Sequence, residues 1–219
     1  MGAAVNVIED YPNSVFDIEV RRKTKTVNAV LLARQFGKDY FDGESKYGYG
    51  GYTYHQRTWL PVAEKIQKYF DLQSHNTVLD VGCAKGFLLQ ALATLLPQLT
   101  VKGIDISRYA ITNAVAQMKP HLQAANANAI PFPDNYFDVV LSFNTLHNLN
   151  KVDCVKALAE IQRVSKGRAF VVVAAYQSEQ QQIRLHDWNL TAKTIAHVRE
   201  WKALFHKAGY TGDYYWFFP

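Results

Sequence analysis

Apolar residues recur along this chain with two periods, and the alternation between them predicts the fold. "TKTVNAVLLARQFGKDYF" (24–41) carries Val27, Val30, Leu31, Leu32 and Phe36 near a helical repeat, and the glycine of "FDGES" closes it. A second amphipathic helix is predicted in "HQRTWLPVAEKIQKYFDL", with Trp59, Leu60, Val62, Ile66, Tyr69 and Phe70 as its buried stripe and Pro61 in its first turn. From residue 77 the chain alternates. "TVLDVG", "TVKGIDIS", "HLQAANAN", "YFDVVLSFN" and "RAFVVVAAY" read as strands, and between them lie the helical patterns "KGFLLQALATLLP", "RYAITNAVAQMK" and "KVDCVKALAEIQRVS". Ser107 is placed to cap the second of these helices. Strands that are apolar at nearly every position, separated by amphipathic helices, mean a mostly parallel sheet covered on both faces: a doubly wound α/β fold. The tail "VREWKALFHKAGYTGDYYWFFP" adds a last helix, a glycine turn and an aromatic strand.

Between the first two helices lies "YGYGGYTYHQR" (47–57), with four tyrosines and three glycines in its first eight positions. Glycine at that density disfavours helix and regular strand, so the segment is expected to be a loop. At 219 residues the chain suits one domain over 1–219, divided into an N-terminal helical segment (1–72) and an α/β core (73–219).

Composition adds mainly exclusions. No apolar run approaches the ~20 residues of a membrane span. The N-terminus "MGAAVNVIEDYPNS" lacks a basic region followed by an apolar one, so a cytoplasmic protein is expected. Met1-Gly2 raises N-myristoylation, but Asn6 stands where that motif wants Ser or Thr. Cys83 and Cys154 are too few for a disulfide framework and lack zinc spacing, so no metal is expected. The net charge of +5 suits an anionic partner. Yet the basic residues are dispersed except for "RRKTK" (21–25), which reads as a solvated face.

In an open parallel sheet, ligands bind beyond the carboxyl ends of the strands, where strand order reverses. At the first strand end stands "VLDVGCAKGF". The dinucleotide fingerprint wants glycines at three positions, which here hold Gly82, Ala84 and Phe87, so the pyrophosphate reading fails at two of them. Asp80 followed by Gly82 and Gly86 instead resembles the first motif of the class I S-adenosylmethionine-dependent methyltransferases, with Ala84 at the family's middle glycine. Asp105 ends the second strand, 23 residues after Gly82, where a carboxylate can accept both hydroxyls of a ribose. "ANANAIPFPDNYFDVVLSFNTLHNL" (125–149) is similar to the same family's stretch from the third strand end through the fourth strand.

The resemblance covers about residues 77–175. It implies a seven-stranded Rossmann-like sheet, S-adenosyl-L-methionine as cofactor, and methyl transfer to an O or N atom of a small-molecule acceptor. By the same resemblance, Asp80, Gly82, Cys83, Gly86, Asp105 and Ile106 belong to the cofactor site. Asn126, Ala127 and Asn128 would meet adenine, and Phe143 and Asn144 would lie along the methionine portion. The segment before the first strand commonly forms a lid in this family. "YGYGGYTY" would then cross the cleft, with Tyr47, Tyr49, Tyr52 and Tyr54 offering π faces to a sulfonium and the glycines acting as hinge. This loop, "RTWLPVAEK" and "YTGDYYWFF" together are similar to a bacterial small-molecule subgroup.

His147 in "NTLHNL" is the first candidate for a general base, since an imidazole titrates near the working pH; His55 and Tyr54 are weaker candidates. Arg184, His186, Asp187 and Trp188 are candidate acceptor contacts. The motif of exocyclic base-amine methylation, Asn or Asp followed by Pro-Pro and an aromatic, is missing at "SFNTLHN", which counts against a nucleic-acid acceptor. A non-catalytic cofactor-binding protein is a further alternative. The aromatic tail strand is a candidate edge for pairing with a second copy.

Overall fold

The computed structural model describes residues 2–9 and 18–218; Met1 lies outside them. Three short helices open the described main body: α1 (Ile18–Thr24), α2 (Val27–Ala33) and α3 (Lys38–Asp42). The single helix expected over 24–41 is thus broken, because Phe36 takes a left-handed φ of 50° and Gly37 follows it. Next come α4 (Gln56–Phe70), β1 (Thr77–Val81), α5 (Phe87–Leu95), β2 (Thr100–Asp105), α6 (Arg108–Thr112), β3 (Leu122–Ala124) and β4 (Val139–Phe143). The chain ends with α7 (Lys151–Val164), β5 (Ala169–Tyr176), α8 (Glu179–Trp188), β6 (Ala196–His197), α9 (Val198–Lys207) and β7 (Asp213–Phe217).

Pro61 lies one turn deeper in α4 than its expected place in the first turn. Helix α6 is much shorter than the pattern predicts, although Ser107 Oγ does accept from Ala110 N to cap it.

The seven strands form one sheet in the order β3-β2-β1-β4-β5, with β6 and β7 both on β5. Every pairing is parallel, including β5 with β7, so the sheet is wholly rather than mostly parallel. Side chains along each strand alternate between the two faces. Val78, Val139, Leu141, Phe170 and Val172 pack under α4 and α5, while Leu79, Val140, Val171 and Val173 pack under α7 and α9. The outer edge of β7 is taken within the chain: Val5 N donates to Tyr214 O and Tyr214 N to Ala3 O. Among the described residues no helix is long and apolar enough to cross a membrane.

Strand order reverses between β1 and β4, so the loops after β1, β2 and β4 part there and leave a crevice. The segment from Arg34 through α3 and the Tyr-Gly loop lie over it.

Candidate active site

A cleft of about 370 Å³ occupies that crevice, within the range of small-molecule sites. Its floor is the β1–α5 turn. Gly82, Ala84 and Gly86 all take left-handed φ values (86°, 48° and 78°). A Cβ on Gly82 would stand 1.9 Å from Thr145 Oγ1, so the turn and the loop after β4 meet only because residue 82 is glycine. Ala84, where the family has glycine, tolerates its strained φ because its N–H is held at 2.8 Å by Asp105 Oδ2.

Asp105 ends β2 with both oxygens anchored, Oδ1 accepting from Ser107 N at 2.7 Å. Burial raises its pKa, and the two backbone N–H groups partly offset this. Each oxygen keeps a further lone pair for a ligand hydroxyl. Asp80 is buried in the same cleft with no hydrogen-bond donor on its carboxylate among the described residues. Burial, and then the nearby charge of Asp105, push it up to about 8. A partnerless buried carboxylate in a cleft is what a cationic ligand group would satisfy.

Tyr49 and Tyr52 roof the site. Their ring centroids are 4.3 Å apart, and Tyr52 stacks on Phe87 at 4.5 Å. Phe87, the first residue of α5, fills the space at that helix N-terminus where a pyrophosphate would sit. The Tyr49 ring edge is open at the cleft mouth. Its hydroxyl is turned inward onto Tyr40 and raised well above the usual phenol range by burial, by Tyr40 and by Asp105.

The roof is pinned at two places. Arg21, from the run expected to be solvated, is buried and donates to Ser45 O, Lys46 O and Gly48 O. Lys85, in the β1–α5 turn, lies 2.7 Å from both carboxylate oxygens of Asp42 and 2.8 Å from Tyr52 O. Tyr109 Oη and Tyr52 N also donate to Asp42. Burial works to raise Asp42, but these donors, Lys85 foremost, hold it below the usual carboxylate range.

Of the expected cofactor residues, the cleft brings together Tyr49, Tyr52, Asp80, Gly82, Cys83, Asp105, Ile106, Asn126, Ala127, Phe143 and Asn144. Gly86 lies behind the turn, packed towards Met118 and Leu122. Asn128 stands off the wall and donates to Asp153, which does line the cleft. Tyr47 is outside, its ring under the Lys46 ammonium.

None of the three catalytic candidates lines the cleft. His147 is buried on the far side of its turn, where Nδ1 accepts from Ala174 N at 3.2 Å and burial lowers it to about 4. It is a neutral structural imidazole. Tyr54 packs on Phe87 from behind. His55 is exposed at the start of α4, with Nε2 3.0 Å from Thr53 Oγ1. From the segment 176–194 the cleft takes Lys193 rather than Arg184, His186, Asp187 or Trp188.

Sequence reasoning missed Arg34, Gln35, Phe36, Tyr40 and Trp59 on the lid side, and Thr145, Asn148, Asp153 and Lys193 beyond β4. Tyr40, Trp59 and Asp153 lie on helices and the others in turns and loops, and the sequence marked none of them as facing the cleft. The side-chain Oδ1 atoms of Asn144 and Asn148 are shut off from solvent and accept no hydrogen bond among the described residues, which costs about 1–3 kcal/mol each that a ligand or a lid movement would relieve.

Residues 78–167 match the family model described as "Methyltransferase domain". A tRNA (carboxymethyluridine(34)-5-O)-methyltransferase of Arabidopsis thaliana is 30% identical over 145 residues, 65% of this chain and 33% of its own. The mitochondrial arginine-hydroxylase NDUFAF5 of Rattus norvegicus is 34% identical over 167 residues, 74% of this chain and 42% of its own. The chain thus spans well under half the length of both. A SAM-dependent methyltransferase from Archaeoglobus fulgidus shares the fold, with a TM-score of 0.53 at 21% identity, covering 68% of this chain and 67% of that one.

Proposed function

We propose that this chain, whose residues 78–167 match a methyltransferase-domain model, is a class I S-adenosylmethionine-dependent methyltransferase that transfers a methyl group to an O or N atom of a small molecule, in the cytoplasm, as one domain. The observation that carries this reading is the pair of cleft carboxylates: Asp105, anchored on Ala84 N and Ser107 N, and Asp80, buried without a donor.

The residues present fit the cofactor. Asp105 would hold the ribose diol and Asp80 the α-ammonium group. Asn126 and Ala127 would flank adenine, and the rings of Tyr49 and Tyr52 would face the sulfonium. When bound, S-adenosylmethionine supplies a methyl group on a positively charged sulfur, open to in-line displacement. The chain's own part is to position and exclude water. Lys85 and Asp42 hold the lid on the cofactor turn, and Arg21 stiffens the loop above it.

His147 is unsuited to take the acceptor's proton, being buried outside the cleft. An acceptor that is already nucleophilic, such as a neutral amine or an ionised oxygen, would need no imidazole in the cleft. A second reading, a nucleic-acid acceptor, is favoured by the tRNA substrate in the name of the Arabidopsis relative and by the net charge of +5. A second copy would pair with the β7 edge beyond Tyr214, whose N–H and C=O are already bonded to Ala3 and Val5.

Calorimetric titration with S-adenosylhomocysteine tests the reading, with NAD as control ligand. Micromolar binding, weakened at least tenfold in Asp105→Ala, is expected. Binding of NAD in preference would overturn it.

A further inference from the structure

We propose that the acceptor carries an oxyanion, a carboxylate or a phosphate, and that Arg34 and Lys193 receive it at the β4–β5 end of the cleft. This rests on the methyl-transfer reading and names the substrate class of the same site.

Sheet order lays the cleft out along a line. Asp105 and Asp80 end β2 and β1, and the adenine-side residues follow β3, so the cofactor groups occupy the β3-β2-β1 half. Thr145 and Asn148 follow β4 beyond Asn144, and Lys193 follows β5 and α8, so the remaining half belongs to the acceptor. In that half the charge is positive. Arg34, just past α2, approaches from the lid and donates from Nη2 to Ala192 O at 2.9 Å, next to Lys193. Its other guanidinium donors have no partner among the described residues. Lys193 has its backbone fixed, since its N–H donates to His147 O at 3.0 Å.

Neither cation is ion-paired among the described residues, although both line the cleft. The cleft's third acid, Asp153, is already engaged by Asn128 and Asn150. Two solvent-exposed cations brought to one end of the cleft, one a planar fork, are suited to a carboxylate or phosphate. The unpaired side-chain Oδ1 of Asn148 lies on the same side and suits a donor on the acceptor's body.

Protein saturated with S-adenosylhomocysteine would be titrated, by ligand-observed NMR, with phenyl phosphate and benzoate, and with benzyl alcohol as the uncharged control. The expected result is at least tenfold tighter binding of the anions, reduced to less than threefold in Arg34→Gln and in Lys193→Gln, with S-adenosylhomocysteine affinity in both variants within twofold of the parent. Equal binding of the three probes would overturn the proposal. So would a tenfold loss of S-adenosylhomocysteine affinity in either variant, which would assign that cation to the cofactor's own carboxylate. Tighter, steeply salt-dependent binding of a single-stranded RNA oligonucleotide would overturn it in favour of a nucleic acid. Anion binding that depends on both cations, in a protein that does not bind S-adenosylhomocysteine, would support the anion site and contradict the methyl-transfer reading.

Discussion

Replacing Lys85 by methionine removes the contact that ties the α3 and Tyr-Gly roof, the proposed lid, to the β1–α5 turn, and the size of the effect follows from the geometry. The Lys85 ammonium contacts both oxygens of Asp42 at 2.7 Å; the lysine side chain is 8% exposed and that of Asp42 26%. Breaking a fully buried ion pair costs about 3–5 kcal/mol, largely because the surviving charge is left uncompensated. Asp42 is a quarter open to water and keeps the Tyr109 hydroxyl and the Tyr52 N–H, so the loss here is put at roughly 2 kcal/mol.

That loss falls on the lid, because the pair joins the lid to the core and holds nothing within the sheet. Hydrogen exchange reads it locally. The reporters are the amides of Tyr49 and Gly51, bonded to Tyr40 O and Phe41 O, and that of Tyr52, bonded to Asp42. A loss of ~2 kcal/mol corresponds to exchange faster by about thirtyfold at these three amides, with the amides of β5 unchanged. A double variant with Asp42→Asn should lose little beyond Lys85→Met alone, since the two changes share one interaction. Unchanged exchange at the three amides, or equal acceleration throughout the sheet, would refute the latch.

Further outcomes follow from single groups. Asp80 is held protonated up to about 8 in the folded chain by burial and then by Asp105. It therefore contributes stability at acid pH that is lost as pH rises from its ordinary carboxylate value through that value; pairing with a cofactor ammonium near pH 7 would release a proton. The enthalpy of S-adenosylhomocysteine binding should depend on the buffer's ionisation enthalpy, and Asp80→Asn should abolish that dependence. For His147, lowered to about 4 by burial, the sign is opposite: its stability is present above the ordinary imidazole value and is lost as pH falls towards 4. Urea unfolding of His147→Gln should show a flatter acid limb between pH 6.5 and 4, and a pH–rate profile that moved with this variant would restore His147 as a base. Gly82→Ala should lose about 3 kcal/mol in the same assay, from a strained φ and the clash with Thr145.

The sheet was legible because buried parallel strands spell themselves as β-branched runs, and "TVLDV", "VVLSF" and "AFVVVAAY" are strands in the structure. Strand ends then point to Asp80, Asp105 and Asn144, since position at a carboxyl edge is a topological property. Which side of a loop faces the cleft is not. His147 stands three residues from Asn144 in sequence, yet its ring turns away to serve Ala174 N, a partner that no local pattern announces. The same holds for Arg21 and Lys85, whose carbonyl and carboxylate partners are 24 or more residues distant. Helix breaks were hidden for another reason: Phe36 continues the apolar stripe while its backbone leaves the helix.

A crystal structure of the complex with S-adenosylhomocysteine tests the central claim most directly. The account predicts the ribose hydroxyls within hydrogen-bond distance of the Asp105 carboxylate, the α-amino group on Asp80, and the homocysteine sulfur beneath Tyr49 and Tyr52. A ligand bound elsewhere, or one that leaves Asp80 and Asp105 untouched, would contradict it.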